Sequence, residues 1–181
     1  NIGILNNHPA EGRAGGAGHQ QIDRDHYSKE RDHDHGEVFA GERPGGESFH
    51  PGKPTQRQTD VWNIELEAQN AAFAAIKIGA PCEVVDAAAR AVIERAGFNK
   101  NYKLPGLPHR TGHCIGLEGH EWTNFVKGNK TPMAVGMCFS NEPTISIPGE
   151  FGIRLEDCLY IAEDGPHYFS KQSISIEQPF G

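Results

Sequence analysis

The sequence predicts an α+β domain in which helices pack on an antiparallel sheet, and three observations carry that expectation. Two alanine-rich stretches between Thr55 and Gly97 repeat apolar residues at helical spacing. Two later stretches, 136–147 and 153–161, alternate apolar with polar residues, the pattern of half-buried strands. Between helices and strands lies a glycine-punctuated stretch, 109–121, with three histidines and two glutamates in thirteen residues.

In chain order, residues 1–51 show neither periodicity. They hold six of the ten histidines, and glycine-rich runs such as 14–18 interrupt them. That composition predicts an irregular segment rather than a packed layer. Asp32-His33-Asp34-His35 resembles a metal tract, but short His-rich runs bind metals adventitiously. The regular region is 52–181. Thr55 after Pro54 is a helix N-cap, and Trp62, Leu66, Phe73 and Ile76 form an apolar stripe widened by Val61, Ala68, Ala72 and Ala75. Gly79 is expected to end this helix. A second helix is expected from Pro81 to about Ala96, with Val85, Ala88, Val92 and Ala96 on one side and Gly97 beyond its end. Pro105-Gly106 then marks a turn that delivers His109.

His113 and His120 stand seven residues apart, so a straight strand would send them to opposite faces. Gly112, Gly116 and Gly119 permit bends that bring both rings to one place. Neutral imidazole ligates transition metals and transfers protons near neutral pH. Downstream, Pro148 to Gly152 separates the two alternating stretches as a hairpin loop. Closing the hairpin about Glu150 sets Ile147 against Ile153, Ile145 against Leu155 and Phe139 against Ile161. The apolar set then shares one face, and Ser140, Glu142, Arg154 and Glu156 share the other. In that register Glu142 and Glu156 are diagonal neighbours across the hairpin, with backbones roughly 7–8 Å apart and side chains able to converge. A slip of one residue would part them and bury a charge. Pro143 fits only an edge or a bulge, so the strand is irregular beside Glu142. A single strand-face glutamate is usually a solvated acid; two on one face beside a His-rich loop favour a metal site.

Global composition excludes several functions. A formal net charge of −7 argues against nucleic acid and anionic membranes as partners. No apolar run approaches the roughly 20 residues of a membrane span, and no signal-like segment opens the chain. Cys82, Cys114, Cys138 and Cys158 lack CxxC spacing and read as reduced thiols of a cytoplasmic protein.

The motifs His109-x-x-x-His113-Cys-Ile-Gly-Leu-Glu-x-His120-Glu121, Gly-Met-x-Phe-Ser-x-Glu142-Pro and Gly-Ile-Arg154-Leu-Glu156-Asp157 resemble those of the pita-bread metallopeptidases. These include methionine aminopeptidase, aminopeptidase P, prolidase and creatinase, and the spelling is closest to the Xaa-Pro branch. The resemblance runs from about Gly52 to the C-terminus. It implies the C-terminal half of the pita-bread fold, with helices on a curved antiparallel sheet. It also implies two divalent ions (Mn, Co or Zn), with His113, Glu142 and Glu156 as metal ligands. By the same resemblance Glu142 is the general base, His109 and His120 are catalytic residues lining the substrate site, and Arg154 supports the metal-binding carboxylates. The expected substrate is a peptide with proline in second position, and a homodimer is compatible with the resemblance.

The family also has two aspartate ligands on a strand pair just upstream of Gly52. Here Glu42-Arg43-Pro44-Gly45-Gly46-Glu47 stands in their place, which suggests a truncated or frame-shifted N-terminal half. Two readings follow. One is an Xaa-Pro metallopeptidase whose missing ligands come from Asp32, Asp34, Glu42, Glu47 or a partner chain. The other is an inactive fragment that keeps the fold and binds peptide without turnover.

Overall fold

The computed structural model describes residues 53–177. The expectations for 1–51, including the Asp32–His35 tract and the substitute ligands Asp32, Asp34, Glu42 and Glu47, lie outside the described residues.

Helix α1 (Gln56–Ala75) opens on a capping box. The Thr55 hydroxyl accepts from Gln58 N–H, and the Gln58 side-chain oxygen accepts from Thr55 N–H at 2.9 Å, satisfying two donors that a helix start leaves open. The helix ends at Ile76, three residues before the expected stop. Gly79 instead lies in the following turn with φ +83°. Helix α2 (Glu83–Arg95) begins two residues after Pro81, and Gly97 follows it with φ +95°, where a Cβ would be strained. Its buried face is Val85, Asp86, Ala89, Val92 and Ile93. Ala96 is exposed rather than facing the core.

Among the described residues seven strands follow: β1 (Gly112–Cys114), β2 (Glu121–Phe125), β3 (Cys138–Asn141), β4 (Thr144–Ile147), β5 (Phe151–Arg154), β6 (Asp157–Ala162) and β7 (Gly165–Tyr168). They form an antiparallel five-stranded sheet in the order β2-β1-β3-β6-β7, with β4 and β5 as a separate pair. Helix α1 packs on α2 and on β3, β4 and β5, while α2 reaches β2. The core between these layers includes Trp62, Ile93, Phe125, Phe139, Ile145, Leu159 and Ile161. No helix among the described residues is long and apolar enough to cross a membrane.

The hairpin differs from its expected register. Phe151 and Gly152 belong to β5, so the loop is shorter than the expected five residues. Ile147 pairs with Phe151 and Ile145 with Ile153 in β4–β5, and Phe139 pairs with Leu159 in β3–β6. The register is therefore two residues tighter. Burial of Phe151 and a turn through Gly149 at φ +76° account for the shift. A two-residue shift preserves which face each side chain takes, so the apolar and acidic sets remain as expected. Strands β2 and β7 lie outside the two stretches whose alternation the sequence marks, and β7 follows the turn that Glu163-Asp164-Gly165 signals.

Helix α2 also anchors the approach to β1. Arg90 Nε donates to Asp86 Oδ2 at 2.8 Å, and its other nitrogens donate to the carbonyls of Leu107 and His109 at 2.9 and 2.6 Å. Thr111 Oγ1 donates to Asp86 Oδ1 at 2.8 Å. This buried pair spends its charges on the segment that carries His109 and leads into His113. Both charges are thereby solvated by protein.

Candidate active site

The site forms where the two sheets part. Strand pairs β3–β6 and β4–β5 keep one register, since Asn141 pairs with Asp157 and Thr144 with Arg154. Continuing that register sets Glu142 directly opposite Glu156 in the gap that neither ladder spans. Pro143, lacking an N–H, sits in that gap beside Glu142. The Glu142 N–H instead donates to Thr111 O at 2.8 Å, tying it back toward β1.

From β1, His113 Nε2 lies 3.1 Å from Glu142 Oε1. Ser140 Oγ donates to that same oxygen at 3.1 Å and accepts from His113 N–H at 2.9 Å. Arg154 Nη1 reaches Glu142 Oε2 at 3.2 Å. Burial alone would raise the Glu142 carboxyl, but the His113 hydrogen bond and the Arg154 charge outweigh it and hold it at about 2. Glu142 is therefore ionised at neutral pH. Glu156 is the exposed acid of the pair, and crowding by protein together with the Glu142 charge pushes its pKa up.

His109 is fully engaged. Its Nδ1 faces Arg110 O at 2.6 Å, and its Nε2 lies 3.0 Å from Arg154 Nη2 and 3.0 Å from Thr144 Oγ1. A carbonyl only accepts and a guanidinium only donates, so Nδ1 carries the proton and Nε2 accepts. Burial, then the Arg154 charge, lowers this imidazole to about 4. Arg154 Nε completes the cluster by donating to Thr144 Oγ1 at 2.8 Å. His120 is exposed, and its ring stands 4.2 Å from that of His113, centroid to centroid. The loop that brings the rings together folds on Glu121, whose carboxylate accepts from Glu118 N–H at 3.0 Å. That carboxylate also fills the space a Cβ at Gly116 would need.

The structure thus gathers His109, His113, His120, Glu142 and Arg154, with Glu156 across the gap. Thr144, which links His109 to Arg154, was not marked by the sequence. Its position two residues after Glu142 on the same strand face was the available signal. Among the described residues, no three His, Cys, Asp or Glu side chains are arranged to hold a metal ion between them. The donor chemistry nevertheless fits a cation. His113 Nδ1 faces the Cys114 carbonyl at 3.1 Å and donates to it, which leaves Nε2 to face Glu142 Oε1. Nε2 meets that oxygen through a proton, or through a metal ion that takes the proton's place.

Residues 46–163 match the family described as Metallopeptidase family M24. The chain belongs to that family. An Xaa-Pro dipeptidase of Lactobacillus helveticus is 41% identical over 114 residues, covering 63% of this chain and 30% of that protein. Among solved structures, a prolidase from Pyrococcus furiosus superposes with a TM-score of 0.60 at 35% identity, covering 66% of this chain and 34% of the other. An X-Pro aminopeptidase from Thermotoga maritima gives 0.60 at 33%, covering 65% and 32%. The M24 chain therefore has the α+β pita-bread-like fold, with helices packed on an antiparallel sheet, and belongs with the Xaa-Pro branch. It spans about a third of the length of these relatives.

Proposed function

We propose that this chain carries part of an Xaa-Pro metallopeptidase site and acts in metal-dependent hydrolysis of Xaa-Pro peptide bonds. One observation carries the reading: His113 Nε2 faces Glu142 Oε1 at 3.1 Å, where a metal ion can replace the shared proton, with Glu156 opposite on the neighbouring strand segment. His113, Glu142 and Glu156 would hold a divalent cation, and one imidazole with two carboxylates suits manganese, cobalt or zinc. Such an ion supplies a water of lowered pKa and polarises a carbonyl oxygen. Glu142, kept ionised by His113 and Arg154, accepts a hydrogen bond from water in the site. With its pKa at about 2 it takes up a proton only after those contacts loosen. His120 meets an incoming peptide carbonyl from the exposed side. His109, neutral and committed at both nitrogens, fixes Arg154 and through it the Glu142 carboxylate.

In this reading residues 52–181 form the catalytic region. The four free cysteines suit a reducing, cytoplasmic setting. The lack of a three-donor cluster among the described residues favours a second reading, peptide binding without turnover. Titration with Mn²⁺ followed by an Ala-Pro hydrolysis assay separates them. Turnover that Glu142→Ala abolishes supports the peptidase. Absence of both metal loading and turnover defeats it.

A further inference from the structure

Glu142 and Glu156 occupy a gap in the backbone ladders, so something other than strand pairing must set their separation. The last rung before the gap is Asn141 opposite Asp157, the residues that adjoin Glu142 and Glu156 in sequence. A single side chain from α1 holds both. Gln69, 1% exposed, donates from Nε2 to Asn141 O at 3.2 Å and to Asp157 Oδ2 at 2.9 Å. Asn141 returns the contact by donating from Nδ2 to the Gln69 backbone carbonyl at 2.9 Å. The same Nδ2 donates to Tyr168 Oη at 2.9 Å, and the Tyr168 ring stacks on Phe73, one helical turn after Gln69, at 4.2 Å. The clamp therefore joins α1 to β3, β6 and β7.

We propose that Gln69 is a positioning residue that fixes the spacing of the Glu142 and Glu156 carboxylates. Its amide is aimed at one acceptor on each of the two strands, and burial of Gln69 and Asn141 keeps water from replacing the donor at the Asn141 carbonyl. Loss of that amide leaves the Asn141 carbonyl and the Asp157 carboxylate short of a donor at the rung that sets both glutamates. The Thr111 contact still tethers Glu142, so Glu156 is the acid that drifts. The proposal rests on the reading of Glu142 and Glu156 as cation ligands. Removal of a group that orients ligands typically weakens metal affinity by about 10–100-fold.

The test uses the full chain and Gln69→Met, which keeps length and apolar volume but lacks the donor. Gln69→Glu serves as the second variant should the first fail to fold. Mn²⁺ affinity is measured by electron paramagnetic resonance, and backbone hydrogen exchange by mass spectrometry on the metal-free protein. The expected result is at least tenfold weaker Mn²⁺ binding, with faster exchange in peptides covering 153–157 and unchanged exchange across β1–β2. Native exchange at 153–157 in the variants overturns the proposal, whatever the metal result. Wild-type protein that binds no Mn²⁺ overturns the proposed function instead, and exchange alone then decides whether Gln69 sets the gap.

Discussion

Glu65 offers a direct test of how α1 packs. It lies on the buried stripe of α1 one turn before Gln69, is 0% exposed, and neither carboxyl oxygen has a hydrogen-bond partner. Burial raises its pKa well above the ordinary 4.5. The nearby Leu155 backbone and the Arg154 charge oppose that rise only in part. The folded state therefore keeps this proton after the unfolded chain has released it. Stability from this group is complete below pH 4.5 and falls as pH rises toward the folded pKa, by about 1.4 kcal/mol per pH unit for one proton. Glu65→Leu, similar in volume and free of polar atoms, removes an unsatisfied buried group worth about 1–3 kcal/mol, more when charged. Urea unfolding of both proteins between pH 5 and 8 (roughly the range where the carboxyl strains the fold) should show the leucine variant more stable. Its advantage should widen with pH. A destabilised variant, or an advantage constant with pH, would refute the argument that Glu65 is buried without a partner.

Two further outcomes follow from the site. Arg154→Met removes a charge that lowers His109, so the His109 midpoint followed by NMR should rise above about 4 while burial keeps it below 6.5; an unchanged midpoint would mean that the guanidinium does not face this ring. Gly112→Ala drives a Cβ into the Ser140 carbonyl oxygen, so it should destabilise the fold by about 1–3 kcal/mol or more in urea unfolding, and wild-type stability would contradict the close approach of β1 to β3.

Much of this geometry is legible in the sequence because periodicity constrains faces strictly. The Thr55–Gln58 cap, the glycine after α2, and the shared face of Glu142, Arg154 and Glu156 all follow from local rules. Exact pairing is less legible. Gly149 and buried Phe151 set a loop two residues shorter than composition suggests, and that turns diagonal glutamates into direct opposites. Pro143 marks irregularity, but it does not announce that one long hairpin divides between two sheets. Glu65 and Gln69 fall on the apolar stripe defined by Val61, Ala68 and Ala72, and a polar side chain at a core position signals a partner elsewhere. For Gln69 those partners, Asn141 and Asp157, lie 72 and 88 residues away, beyond the reach of any local pattern. His109 illustrates the same limit. The motif marks the residue, but only the fold reveals that both ring nitrogens are already committed.

The proposed function requires His113, Glu142 and Glu156 to converge on one cation. Anomalous diffraction at the manganese edge from crystals grown with Mn²⁺ tests it most directly. The account predicts a peak bounded by the His113 Nε2 atom and the two carboxylates, and its loss in Glu142→Ala. A saturated crystal with no peak there, or with Glu156 turned away from His113 and Glu142, would contradict it.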